Sequence, residues 1–194
     1  MVLIVIAHKK EAISFINNLK LSKIKSSIFN CYSNENTILL ICGQGIKNVR
    51  KNLFNYLQEN SEKIKKVINF GISGKLNKDL KLDAIYSIES VSFYDEVIME
   101  TSLKLENQTN AKRCVTSIIP VSNFDLAESL SKIADMVDME LFEIVKISNS
   151  FNIPVLSFKL ISDDAHSPVS ANEIINKSNQ FSDMLYARFK NDFL

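Results

Sequence analysis

The chain has 194 residues, of which 46% are hydrophobic and 23% are charged. This mixture is typical of a globular protein, and a chain of this length buries roughly 70% of its unfolded surface. The net charge is +1, which argues against a broad electrostatic surface for nucleic acid or for an acidic membrane.

The cysteines and histidines point to no metal site. Cys31, Cys42 and Cys114 are odd in number and lack metal-ligand spacing, and the two histidines, His8 and His166, are isolated. Unpaired thiols are typical of a reducing compartment, so we expect a cytoplasmic protein. The apolar run 2–7 is too short for a signal peptide or a membrane span and predicts a buried first strand.

Strand-like and helix-like patterns alternate through the first half of the chain. Continuous apolar runs predict strands covered on both faces, and apolar residues at helical spacing predict helices. In chain order we predict a strand at 1–7, a helix at 9–20, strands at 27–33 and 36–42, a helix at 47–60 and a strand at 66–70. Glycine-containing turns, 43–45 and 71–74, follow two of these strands.

The same alternation continues to the end of the chain. We predict strands at 84–93 and 113–119, a loop with some strand character at 94–112, helices at 125–134 and 140–151, a strand at 154–161 and a helix at 171–190. No linker or repeat interrupts the pattern, so a single domain over 1–194 is expected. Strands alternating with helices predict an α/β fold, here a three-layer α/β/α sandwich around a mixed, largely parallel sheet.

Three carboxylates stand where hydrophobic elements end or begin. Glu11 opens the first helix, Glu140 opens a later one, and Asp163 follows the last strand. Because ligands in α/β folds bind at the carboxyl ends of strands, we expect these side chains to share a site. Carboxylates so placed can protonate a leaving group, hold a sugar and activate water.

Four motifs, which follow one another along the chain as they do in the family, resemble the purine nucleoside phosphorylase-like superfamily, and within it the methylthioadenosine/S-adenosylhomocysteine nucleosidases. Val137-Asp138-Met139-Glu140 is similar to the family's Val-Glu-Met-Glu, and 159–163 to its Arg-Ala-Ile-Ser-Asp. Residues 69–75 are similar to Asn-Thr-Gly-Ser-Ala-Gly-Gly, and 5–11 to the first strand with its acidic helix start. The resemblance covers about 1–93 and 113–175.

The resemblance implies cleavage of the N-glycosidic bond between a purine and a ribose. In the implied chemistry, Asp163 is the general acid that protonates the purine N7, and Glu11 orients and deprotonates the attacking water. Glu140 binds the ribose 2′- and 3′-hydroxyls, and Met139 packs under the sugar. The remaining implied substrate-binding residues are Ser162, Gly71, Ile72 and Val121.

The resemblance also implies a homodimer and no cofactor, with phosphate as co-substrate only if the enzyme is a phosphorylase. Hydrophobic residues of 85–93 are the predicted dimer surface. In the family an aromatic residue faces the base. Val121 is the nearest match to that position, and Phe124 is the aromatic side chain predicted to take its place. Ile72 stands where the family has a serine near the water.

Several alternatives stay open from the sequence. Asp163 fits a cap of the helix after Pro168, Glu11 fits a first-turn acid, and Glu140 fits a capping residue. Phosphorolysis is an alternative to hydrolysis, although scattered arginines give a poor phosphate cage, and a non-catalytic nucleoside-binding relative is a third. The stretch 94–125 is shorter than in the family, so the 5′ group of the substrate is left undefined.

Overall fold

The computed structural model describes residues 1–25, 29–96, 98–106, 110–167 and 169–194. The strands within these residues are β1 (Val2–Ile6), β2 (Ser22–Lys23), β3 (Cys31–Ser33), β4 (Thr37–Ile41), β5 (Lys66–Lys75), β6 (Ile85–Asp95), β7 (Ile98–Lys104), β8 (Lys112–Ser117), β9 (Met136–Asp138) and β10 (Val155–Asp164). The α-helices are α1 (Lys9–Asn18), α2 (Ile46–Asn60), α3 (Phe124–Ser131), α4 (Leu141–Ser150) and α5 (Ala171–Phe193).

All ten strands join one sheet, in the order β10-β6-β8-β9-β5-β1-β4-β3-β2, with β7 paired to β6. Because β10 also pairs with β5, the strands β5, β9, β8, β6 and β10 form a closed ring, from which β1, β4, β3 and β2 extend. The predicted mixed α/β fold is confirmed. The three-layer sandwich is not, since the sheet closes on itself, and antiparallel pairings such as β6–β10 and β5–β9 stand beside the parallel ones.

Alternating side chains of β1 divide the core between two sheet faces. Leu3 and Val5 belong to the cluster that includes α2 and α4, whereas Ile4 and Ile6 belong to the cluster that includes α1 and α5. A smaller cluster lies under α3. Helices α1 and α5 contact each other, as do α2 and α4, so both faces of the β1–β5–β10 region are covered.

The predicted helices and strands are present as helices and strands, but several strand ends differ from the prediction. Gly71–Gly74 was expected to be a turn after a strand, but it continues β5, because those residues pair with β9 and β10. β10 likewise runs through Asp164, three residues beyond the predicted end. The short strands β2 and β9 were not predicted, and β7 lies in the predicted loop.

Parts of three predictions fall outside the described residues. These are 27–28 of a predicted strand, 97 and 107–109 of the predicted loop, and Pro168 before the last helix. Among the described residues, no helix combines the length and apolar character needed to cross a bilayer.

Candidate active site

All eight predicted site residues line one cavity of about 430 Å³. They are Glu11, Gly71, Ile72, Val121, Met139, Glu140, Ser162 and Asp163. The volume lies within the range of small-molecule sites. The cavity is formed where the loops after β1 and β4 meet the late residues of β5 and β10, so residues remote in sequence share one site.

Gly71 of β5 lines the cavity where the ionisable groups of Lys159 and Glu11 approach the backbone. A Cβ atom at this position would lie 3.4 Å from Lys159 Nζ and 3.7 Å from Glu11 Oε2. Both separations are those of ordinary van der Waals contact and φ of Gly71 is not in the left-handed region, so the site has room for a small side chain at this position.

Glu11 is a buried acid in the first turn of α1, with 8% of its surface exposed. Burial raises the pKa of Glu11 to about 8, and the charge of Glu140 adds to this, while Lys159 opposes it. Glu11 is thus a first-turn acid, as the alternative interpretation predicted, and its side chain also faces the cavity. A carboxyl with this pKa exchanges a proton near neutral pH, as a general base requires.

We expect the buried Glu11 to make the protein less stable as pH rises. Its pKa is about 8 in the folded state and near 4.5 when unfolded, so the folded state holds the extra proton between these values. Stability contributed by that proton is lost as pH rises through this window, by on the order of a few kcal/mol. Glu11→Gln should flatten the fall between pH 5 and 9 and become more stable than wild type at pH 9.

Chemical denaturation at several pH values measures this effect. Glu59→Gln, at an exposed position of α2, is the matched control and should keep the wild-type pH dependence. If Glu11→Gln has the same pH dependence as wild type, Glu11 is ionised in the folded protein at neutral pH.

Glu140 connects the end of β9 to the start of α2. It occupies the N-cap position of α4 without a capping side-chain bond there. Its Oε1 instead accepts a hydrogen bond of 2.6 Å from the backbone N–H of Gly45, which precedes α2 and has φ +79°. Burial, followed by the charge of Asp138, raises the pKa of Glu140 to about 7. Glu140 thus stands at the N-cap position of α4 but its side chain does not cap that helix, and its carboxylate lines the cavity.

Asp163 owes its position to an irregularity in β10. Ile161 pairs with Ser73 and Asp163 with Gly74, so Ser162 is an extra residue in the strand. Such bulges redirect side chains beside active sites. Ser162 Oγ donates to Asp163 Oδ1 at 2.6 Å. Burial raises the pKa of Asp163 above its ordinary value although this hydrogen bond opposes the shift, which favours the protonated form that a general acid needs.

The alternative role of Asp163 as a helix cap is wrong. The cap of α5 is Ser170, whose hydroxyl accepts from Glu173 N while the Glu173 carboxylate accepts from Ser170 N. That reciprocal arrangement is a capping box, and it leaves Asp163 free to face the cavity.

A buried ion pair under the cavity was not predicted. Lys159 Nζ lies 2.6 Å from Asp138 Oδ2, and the two side chains are 2% and 0% exposed. Asp138 also accepts hydrogen bonds from Thr116 Oγ1 at 2.5 Å and from Leu141 N at 2.9 Å. Burial alone would lower the pKa of Lys159, but Asp138 and other negative charges raise it. The sequence feature that could have indicated this ion pair is the presence of a lysine within the apolar run of β10.

Val121 and Phe124, the two candidates for the position beside the base, differ in their placement. Val121 lines the cavity, whereas Phe124 is 56% exposed and its ring packs 5.6 Å from that of His166. The proposed substitution of Phe124 at the base is therefore wrong. His166 Nδ1 lies 3.1 Å from Asp164 Oδ1 and its Nε2 lies 3.4 Å from Glu128 Oε2, outside the cavity lining.

No model of a known protein family matches the chain. A 5′-methylthioadenosine/S-adenosylhomocysteine nucleosidase of Buchnera aphidicola subsp. Baizongia pistaciae is 26% identical over 180 residues, covering 77% of this chain and 71% of the relative.

Solved structures of nucleosidases share the fold. A Helicobacter pylori nucleosidase mutant with 5′-methylthioadenosine in the active site has a TM-score of 0.83 and 14% identity, covering 98% of this chain and 96% of that one. The apo 5′-methylthioadenosine nucleosidase of Arabidopsis thaliana has a TM-score of 0.82 and 18% identity, covering 98% and 93%. The resemblance predicted from the motifs is confirmed: the chain has the fold of the 5′-methylthioadenosine/S-adenosylhomocysteine nucleosidases and is similar to one of them in sequence.

Proposed function

We propose that the protein is a nucleosidase that hydrolyses the N-glycosidic bond of a purine thionucleoside such as methylthioadenosine or S-adenosylhomocysteine, and releases the free base. The observation that carries the proposal is the convergence of Glu11, Glu140 and Asp163 on one cavity. The nucleosidase of Buchnera and the nucleosidases of the same fold give it independent support.

Asp163 supplies the proton for the leaving group. As the glycosidic bond breaks, positive charge grows on the sugar and negative charge on the base. A carboxylic acid with a raised pKa donates to the purine N7 and neutralises the base as it departs. The hydroxyl of Ser162, 2.6 Å from Asp163 Oδ1, fixes the orientation of this acid.

Glu11 and Glu140 act on the sugar side of the same bond. Glu11 takes a proton from water that attacks the cationic sugar carbon, and its high pKa makes it a stronger base than an ordinary carboxylate. Glu140 binds the ribose hydroxyls while held by Gly45 N, and Met139 packs beneath the ring. A charged hydrogen bond of this kind contributes about 1.5–3 kcal/mol, mainly through positioning.

Water is a better candidate than phosphate for the nucleophile. The arginines are engaged away from the cavity: Arg50 with Glu143, Arg113 with Asp135 and Arg188 with Asp192. Among the described lining residues, Lys159 is the one lysine or arginine, and it is paired with Asp138. This arrangement offers little positive charge for a phosphate dianion, and we propose that the reaction needs no cofactor.

Base release with and without phosphate tests the choice of nucleophile. We expect adenine to form from methylthioadenosine at equal rates in phosphate-free buffer and in millimolar phosphate, together with a reducing sugar. Strict dependence on phosphate, with a sugar phosphate as product, would identify a phosphorylase. Tight binding by calorimetry without any base release would identify the non-catalytic alternative.

We further propose one domain over 1–194 that works as a homodimer in the cytoplasm. A sheet that takes strands from both ends of the chain supports the single domain, and three buried cysteines in the thiol form fit a reducing compartment. The hydrophobic residues of 85–93 differ in exposure: Ile88 and Val91 are buried, whereas Ile85, Tyr86 and Phe93 are partly exposed and keep this stretch as a candidate dimer surface. Ile118 and Phe124 are exposed and are further candidates, and sedimentation velocity measures the oligomeric state.

A further inference from the structure

Two polar side chains at one end of the cavity have no part in the proposed hydrolysis. His8 follows β1 and Gln44 follows β4, and both line the cavity while staying exposed at its edge. Strands β1 and β4 are parallel neighbours, with Ile6 paired to Ile41, so the two side chains project from adjacent loops. They therefore form one polar edge, which we call the His8–Gln44 edge.

Both side chains present hydrogen-bond donors at this edge. His8 Nδ1 accepts from the backbone N–H of Lys10 at 3.3 Å and caps α1, so the ring hydrogen is on Nε2. Gln44 Nε2 has Met139 Sδ at 3.8 Å as a partner, and a thioether is a weak acceptor. The amide therefore keeps donor capacity for a ligand.

The strand order indicates which part of a nucleoside reaches this edge. The order β10-β5-β1-β4 puts Asp163 at one end, Glu11 beside Gly71 in the middle, and Glu140 against Gly45 at the other. Neighbouring strands are about 4.8 Å apart, so the line spans roughly 14 Å. Gln44 contacts Met139 and precedes Gly45, which contacts Glu140, so the His8–Gln44 edge lies at the ribose end of this line, within reach of a 5′ substituent.

We propose that His8 and Gln44 select nucleosides whose 5′ substituent ends in an anionic acceptor, specifically a carboxylate, over those with an alkylthio group alone. The inference rests on the proposed function, since it assumes the orientation of a purine nucleoside. Exposed Lys9 and Lys10 in the first turn of α1 add positive potential at the same edge. The apolar side chains of Ile174 and Ile175 also line the cavity and can pack against the alkyl part of the substituent.

Two adenosine derivatives of matched size test the proposal: 5′-(2-carboxyethylthio)adenosine and 5′-(propylthio)adenosine. We expect wild type to favour the carboxylate in kcat/KM by about tenfold or more, as charge-assisted hydrogen bonds allow. Gln44→Met removes the donors at similar length, and His8→Asn keeps a capping acceptor but shortens the donor. Each substitution should reduce the preference severalfold, and the pair should abolish it.

Gln58→Met, at an exposed position of α2 outside the cavity, is the matched control and should keep the wild-type preference. The proposal is overturned if wild type prefers the propylthio compound, or if the preference survives in the double variant. Calorimetry with the same two nucleosides on Asp163→Asn protein measures the preference without turnover. Absence of base release from either compound would therefore count against the hydrolysis alone, and the ratio of Kd values would still decide the role of the edge.

Discussion

Asp163→Asn should lower kcat for base release by about 10²–10⁴ while the affinity for nucleoside changes little. The amide has nearly the shape of the acid and can accept the 2.6 Å hydrogen bond from Ser162, but it has no proton of suitable acidity for the purine N7. Because the lost interaction forms mainly in the transition state, kcat should fall and KM should not rise. Stopped assays of adenine release and calorimetry measure the two quantities.

The neighbouring Asp164 provides a matched control for this substitution. It is the last residue of β10, directly after Asp163, but its carboxylate contacts Lys75 at 3.3 Å and His166 at 3.1 Å. Asp164→Asn should therefore keep kcat within a small factor of wild type. If Asp163→Asn keeps full activity, or if Asp164→Asn is the more damaging change, the assignment of the general acid is wrong.

Lys159→Met should be the most destabilising single change in the site. It removes the partner of Asp138, whose side chain is fully buried, and an uncompensated buried charge costs about 3–5 kcal/mol. Lys159 also lowers the pKa of Glu11 and of Glu140, so its loss should leave Glu11 more fully protonated at neutral pH. Both kcat/KM at pH 7 and the free energy of unfolding should fall.

A double-mutant cycle separates the ion pair from simple loss of packing. Asp138→Asn/Lys159→Met removes both charges of the pair, and an asparagine oxygen can still accept from Leu141 N. The double variant should therefore be more stable than Lys159→Met alone, with a coupling energy above about 1 kcal/mol. Additive losses of stability would mean that the two charges do not depend on each other.

Periodicity and local motifs were sufficient to predict most elements and the meeting of three carboxylates. Apolar runs identified the central strands, and the rule that parallel strands present ligands at their carboxyl ends was enough to bring Glu11 and Asp163 together. Helix α2, for example, begins one residue before its predicted start and ends at the predicted residue.

Most of the features that escaped prediction depend on pairing between distant segments. β5 continues through Gly71–Gly74 because β10 and β9 supply hydrogen bonds, not because of its own side-chain pattern. The bulge at Ser162 exists only relative to β5, and the Glu140–Gly45 contact spans 95 positions. Lys159 could be read only as a lysine in a buried strand until Asp138 was placed beside it.

A crystal structure of Asp163→Asn protein with methylthioadenosine will show whether Asp163, Glu11 and Glu140 surround one glycosidic bond. We expect the residue 163 amide within about 3 Å of the purine N7, the ribose hydroxyls at Glu140, and a water between Glu11 and the anomeric carbon. A nucleoside bound outside the cavity, or with its base directed away from residue 163, would contradict this arrangement.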